Sequence, residues 1–322
     1  MASPEYVIAA EDLRRTFKSF VPGSPEKVAV DGISFKVGRG EIYGILGPNG
    51  AGKTTTIKIL STLLSPTSGK AYVLGADVDD EKAVRALRRR INMVSGGEKG
   101  LYYRLSGRQN LEFFSDLHGI PKREQKRRVS GLLETVGLSE AADVKVENYS
   151  RGMKQRIHIA RALINDPEIL FLDEPTIGLD PEMSREVRGL IRRLSDGGTT
   201  IILTTHYMFE AEELCDEMII ISRGRVVGRG TVSEIKEAIS DVSCIRVVTE
   251  EDPSAAVEAL AAEGLDASST ALLNGRFAVR FATRGDDGLG RYERMFSPFR
   301  VKSIGIEEPT LEEAYLSLVG GS

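Results

Sequence analysis

Two cysteines, Cys215 and Cys244, are too few for a disulfide framework, and their spacing is not that of a metal site. A reducing compartment suits such a chain. Long apolar runs are also missing, and nothing approaches the ~18–20 consecutive apolar residues of a membrane span. The N-terminal MASPEYVIAAEDLRR lacks a signal-peptide pattern, so the expected place is the cytosol unless a partner holds the chain at a membrane. Positive charge is not in surplus: 43 Lys and Arg stand against 47 Asp and Glu, a net charge of −4. No global basic field invites nucleic acid, and none is expected as a partner. The local run KREQKRR at 122–128 reads as a solvated helix face. What remains is ordinary globular chemistry, 41% apolar and 28% charged, with length for a large core and one smaller domain.

Residues 47–54 read GPNGAGKT. Gly47, Gly50 and Gly52 let a backbone turn with its N–H groups inward, so that the loop they form with Pro48, Asn49 and Ala51 can wrap phosphate oxygens. Lys53 supplies a cation for the β- and γ-phosphates and Thr54 a hydroxyl for Mg²⁺, with Thr55 next in line. The run EIYGIL at 41–46 reads as a buried strand and TTTIKILSTLL at 54–64 as a helix, whose N-terminus adds partial positive charge.

A second strand, EILFLDEP at 168–175, delivers Asp173 and Glu174 at its C-terminal end. In a chain with a phosphate loop, Asp173 is placed to organise Mg²⁺ and Glu174 to polarise water. The β-branched strand TTIILTT at 199–205 ends at His206, on the expected phosphate side. His118 and His158 have no such placement and read as structural.

Ahead of EILFLDEP lies NYSRGMKQR, 148–156, opening a helix whose Met153, Ile157, Ala160 and Ile164 recur at helical spacing. With these motifs the chain resembles the ATP-binding cassette (ABC) ATPases over about residues 5–230. The resemblance implies an α/β P-loop NTPase core at 1–230 with an inserted helical subdomain at about 98–165. It implies an ATPase that uses ATP and Mg²⁺, works as a head-to-tail homodimer and serves a transmembrane permease from the cytoplasmic face of the membrane. Ser150 and Gly152 would then bind the γ-phosphate of ATP held by the other copy, an anion at a helix N-terminus. Phe17 matches the aromatic that stacks on adenine, Asp180 the polar centre of the loop bridging the two sites (IGLDP), and His206 the γ-phosphate contact.

The chain departs from the family pattern twice. YSRGM replaces LSGGQ, so Arg151 adds a cation and Met153 removes an amide, while Ser150 and Gly152 survive. Where the family carries a glutamine that touches Mg²⁺ or the lytic water, the chain has Gly96 or Gly97, and Glu98 is the expected substitute. In the helical subdomain, Leu111 and Phe114 read as core and Tyr102 and Tyr103 as loop-borne interface anchors bordering the permease groove.

Past residue 230 the motifs stop. Strand-like SCIRVVTE, helix-like PSAAVEALAAEG, a hairpin turning at Asn274-Gly275, a glycine-bearing helix in DDGLGRYERMF and the strand FRVKSIGIEEP suggest a small α+β domain, ferredoxin-like in order, at 231–322. Thr310 and Glu313 form a capping box for a last helix with Leu311, Ala314, Tyr315 and Leu318 on one face. This tail resembles the extension of drug- and antibiotic-export ABC ATPases. The rival reading is a regulatory ABC ATPase, or one acting on ribosomes or DNA. The single phosphate loop and lack of a long heptad tract oppose the ribosome and DNA forms.

Overall fold

The computed structural model describes residues 6–18, 26–95, 100–238, 242–265, 267–284 and 289–320. Gly96, Gly97 and Glu98 lie outside the described residues. The chain divides into two compact units, Met1–Val232 and Ser233–Ser322, against an expected boundary at 230/231.

The first unit opens with the long strands β1 (Tyr6–Phe17) and β2 (Lys27–Gly38), then β3 (Ile42–Leu46) and helix α1 (Lys53–Leu60). Next come β4 (Ser68–Val73), β5 (Ala76–Asp77), α2 (Glu81–Leu87) and β6 (Ile91–Val94). Three helices occupy the middle of the chain: α3 (Gly107–Leu117), α4 (Lys122–Thr135) and α5 (Arg151–Ala162). They precede β7 (Ile169–Asp173), α6 (Pro181–Asp196), β8 (Thr200–Thr205), α7 (Met208–Leu214), β9 (Glu217–Ser222) and β10 (Arg225–Gly230). Helix α8 (Val232–Glu237) spans the point of division.

Six strands form one sheet in the order β10-β9-β3-β8-β7-β6, parallel except for β10 at its edge. A parallel sheet covered on both faces demands apolar residues at every position rather than at alternate ones. Every residue of β3, β7 and β8 is accordingly buried. A second sheet, β2-β1-β4-β5, is antiparallel. Its Ile8, Leu13, Val30 and Ile33 share one core with Ile57 and Leu60 of α1 and with Ile45, Ile202 and Ile219 of the larger sheet. At about 1.5–3 kcal/mol for each large apolar side chain fully buried, this shared core holds α1 and the loop before it between two rigid layers.

Helix α1 is shorter than its sequence pattern. It stops at Leu60 because Thr62 turns left-handed, with φ of 62°. Arg88 pins that residue by donating to Thr62 Oγ1 at 2.9 Å and to its carbonyl at 2.7 Å. In the helical segment Ser106 and Gln109 make a capping box for α3. Buried Asn110 fastens the preceding loop by accepting from Tyr102 N and donating to Tyr102 O. Leu111 is fully buried, but Phe114 is only half-buried and carries the Arg161 guanidinium 5.2 Å above its ring. Tyr102, half exposed, packs edge-on to Phe113 at 4.7 Å. The aromatics therefore make one partly exposed cluster rather than a core and a separate anchor.

The second unit runs β11 (Val242–Thr249), α9 (Ser254–Ala262), β12 (Ala267–Ala271), β13 (Phe277–Arg284), α10 (Leu289–Phe296), β14 (Val301–Glu307) and α11 (Leu311–Gly320). Its sheet order is β12-β13-β11-β14 with every neighbour antiparallel, the arrangement of two interleaved βαβ units. Gly275, at φ of 75°, turns the β12–β13 hairpin, closed by Leu272 N donating to Arg276 O at 2.7 Å. Tyr292 and Phe296 of α10 are fully buried against Phe281, packing that outweighs the helix's internal glycine. Thr310 and Glu313 exchange both bonds of their capping box, at 2.6 and 3.2 Å, and Leu311 and Ala314 are buried. Among the described residues no helix is long and apolar enough to cross a membrane.

Candidate active site

The C-terminal ends of parallel strands collect the chemistry of this unit. Between β3 and α1 the chain turns through Gly47, Gly50 and Gly52 at φ of 150°, 83° and 112°. Two of these glycines are also needed for space. A Cβ would sit 2.2 Å from Ile221 O at Gly47 and 2.3 Å from Ala29 O at Gly52. At Gly50 there is open space, so the positive φ alone calls for glycine. From behind, Gly224 N donates to Ala51 O at 2.9 Å.

Helix α1 has no side-chain cap, which leaves its leading N–H groups for an anion. Lys53, 4% exposed, folds back to donate to Gly47 O at 2.7 Å and Pro48 O at 3.2 Å. The resulting cleft, about 180 Å³, brings Phe17 and Lys27 together with Pro48, Asn49, Thr54, Thr55 and Glu174. A larger cleft of about 670 Å³ lies over Arg14, Asp31 and Arg225, but those charges already pair with one another. Size does not make it the site.

Opposite Lys53 stand the two carboxylates. Asp173, the last residue of β7, accepts on Oδ1 from Thr54 Oγ1 at 3.0 Å and Thr204 Oγ1 at 2.6 Å. Glu174 is left-handed at φ of 51° and its Oε1 lies 3.3 Å from Lys53 Nζ and 3.2 Å from His206 Nδ1. One buried cation, two carboxylates and an imidazole thus converge on an open phosphate cradle. The hydroxyl and carboxylate of Thr54 and Asp173 are hard oxygen donors, which fit Mg²⁺. The free N–H groups and the glycine geometry fit a triphosphate.

Behind His206, Glu210 of α7 is 2% exposed and accepts from Thr176 Oγ1 at 2.8 Å. Burial pushes its carboxyl above the ordinary 4.5; hydroxyls of Thr205 and Thr176, then Arg188 and His206, pull the other way without cancelling it. A raised native pKa means that the folded chain holds the proton more tightly, so this stabilisation is complete at low pH and is lost as pH rises through the native value. Glu210→Gln removes the titration. Whatever constant offset the amide brings, the melting-temperature difference should move in the variant's favour as pH rises from 4.5 toward 8, read by calorimetry of both proteins. Parallel pH profiles would refute this.

Ser150 caps α5, accepting from Met153 N at 3.2 Å, and Asp180 caps α6, accepting from Met183 N at 2.9 Å. Gly152 sits in the first turn of α5, where a Cβ would meet the flexible end of Met183. Ser150, Gly152 and Asp180 do not line the phosphate cleft of their own chain. Arg151 donates to Gly178 O at 3.4 Å within its own chain. Phe17 does line the cleft, with the Arg15 guanidinium 4.9 Å from its ring centre. His158 is buried, whereas His118 is exposed at the end of α3. Sequence reasoning missed Lys27, Ala29, Thr204 and Glu210. Thr204 is one of three buried threonines in β8, so the sequence alone does not single it out.

Known proteins agree with this geometry. Residues 30–177 match the family model described as ABC transporter. The daunorubicin resistance ATP-binding protein DrrA3 of Streptomyces coeruleorubidus is 40% identical over 92% of both chains. The linearmycin resistance ATP-binding protein LnrL of Bacillus subtilis is 32% identical over 98% of both. Among solved structures, CbiO1 of Clostridium perfringens, part of an ABC transporter complex, superposes with TM-score 0.65 and 31% identity over 73% of this chain and 94% of that one. A dimeric ATP-binding cassette in a post-hydrolysis state with ADP and Pi gives TM-score 0.62 and 26% identity over 70% and 98%. Relatives at this identity over nearly their full length, joined to a phosphate cradle facing a DE strand, place this chain in the ABC transporter family as one of its ATP-binding ATPase proteins.

Proposed function

We propose that the chain powers a drug-export permease from the cytoplasmic face of a membrane, closing as a head-to-tail homodimer around two ATP molecules. The convergence of Lys53, Glu174 and His206 on the cradle carries this reading. Lys53 and the loop N–H groups hold the phosphates, and Glu174 takes a proton from water as the water oxygen attacks the γ-phosphorus. The bond to the β–γ bridging oxygen then breaks, giving ADP and phosphate. His206 steadies the γ-phosphate, and Thr54 and Asp173 would hold Mg²⁺. That ion supplies charge neutralisation at the phosphate oxygens when bound. Phe17 stacks on the base.

Ser150 and Gly152 of the second copy complete each site. Their absence from the lining of their own cleft supports this, as does the exposure of Ser150 and Arg151 at the start of α5, where one serine both caps the helix and faces outward. The resistance ATP-binding proteins to which the chain is similar support the export of a drug-like compound. Their full-length match includes the C-terminal unit, which we assign to the exporter type. The test is affinity purification of the tagged chain from detergent-solubilised membranes of the native cell. A polytopic membrane protein should accompany it and raise its ATPase rate; recovery alone or with ribosomes or DNA would favour the rival reading.

A further inference from the structure

We propose that Thr204 is a positioning residue for both carboxylates, setting Asp173 toward the metal side and Glu174 toward water through a single hydroxyl. The proposal rests on the function proposed above. Thr204 lies in β8, between the strand that ends in Asp173 and the strand that feeds the phosphate loop. It is fully buried. Its Oγ1 donates to Asp173 Oδ1 at 2.6 Å and accepts from Glu174 N at 3.1 Å, while its carbonyl oxygen accepts from the same N–H at 3.0 Å.

A hydroxyl has one proton. Because that proton is committed to Asp173, the oxygen must present a lone pair to Glu174 N–H, so the two bonds enforce each other. On the Asp173 side, Thr54 and Thr204 both donate to Oδ1, which fixes the rotation of the carboxylate. On the Glu174 side the bond pins a backbone at φ of 51°, a conformation that a residue with a Cβ adopts only when its surroundings impose it.

Folding alone gives little reason for a hydroxyl here. Thr200 and Thr205 of the same strand are buried too, but their hydroxyls accept from backbone N–H groups of Gly40 and Tyr207, whereas the Thr204 hydroxyl goes to the carboxylate pair. Valine in place of Thr204 would match the shape and the strand preference without a polar group to satisfy. The hydroxyl therefore serves the carboxylates. Outer partners of metal-binding groups commonly carry about 10- to 100-fold in metal affinity or activity.

The test compares the full chain with Thr204→Val and Thr204→Ser. Two quantities are read: the Mg²⁺ concentration that half-saturates the ATP-dependent thermal shift, which needs no turnover, and kcat for ATP. Thr204→Val should raise the Mg²⁺ midpoint about 10-fold or more and lower kcat by a similar factor. ATP binding in EDTA should stay unchanged, and Thr204→Ser should restore most of both losses. Val equal to wild type in both readouts overturns the proposal, as does Ser failing as badly as Val, since shape rather than the hydroxyl would then matter. A wild-type chain with neither a MgATP shift nor ATPase activity sinks the underlying function and this proposal with it. A responsive wild type with an equally responsive Val variant sinks this proposal alone.

Discussion

Glu174→Gln should bind ATP nearly as the parent does and turn it over about 10²- to 10⁴-fold more slowly, the range for a lost general base. The amide keeps the shape of the side chain and can still accept from Lys53 or His206 through its oxygen. It cannot take the proton of water. On the proposed head-to-tail dimer, in which Ser150 and Gly152 of the second copy would need only the intact γ-phosphate, the variant should accumulate as an ATP-held dimer. Light scattering with and without ATP, combined with single-turnover hydrolysis, reads both effects. A variant that hydrolyses at the parental rate would remove Glu174 from the chemistry.

Lys53→Met is expected to abolish the ATP-induced thermal shift while leaving the nucleotide-free protein folded. Each hydrogen bond to a charged group contributes about 1.5–3 kcal/mol, so losing the ammonium weakens nucleotide binding by about 10- to 150-fold per lost phosphate bond. In the nucleotide-free chain the cost is smaller. Methionine fills the stem of the lysine, and the partly exposed Glu174 keeps His206 as a neighbour. Ligand stabilisation follows RT ln(1 + [L]/Kd), so a titration to high ATP separates weakened binding from misfolding. Undiminished ATP stabilisation in the variant would refute the assigned role.

What could be read from the sequence was whatever depends on local pattern. GPNGAGKT and EILFLDEP announce themselves because phosphate geometry demands glycines and a buried parallel strand demands an apolar run. The α11 capping box and the Asn274-Gly275 turn are equally local, and both occur in the structure. Less legible was whatever distant residues decide. Helix α1 ends at Leu60 because Arg88, far along the chain, takes hold of Thr62. Phe114 ends half-buried, with Tyr102 and Arg161 reaching it from other segments. Thr204 escaped notice because its two partners sit at and just past the end of a neighbouring strand, a relation that exists only once the sheet is assembled.

The back of the phosphate loop carries a different lesson. Ala29 O and Ile221 O stand where a Cβ on Gly52 or Gly47 would go, and Gly224 both donates to Ala51 and accepts from Asp31 N at 2.8 Å. The loop is thus cast in a mould supplied by β2 and the β9–β10 turn, and nucleotide meets a shape already set. Little ordering entropy is then left for binding to overcome. The eight-letter motif has an unwritten second half. A side chain at Gly224, whose φ is 81° and whose Cβ would lie 3.2 Å from Ala29 O, would spoil the cast without ever approaching a phosphate.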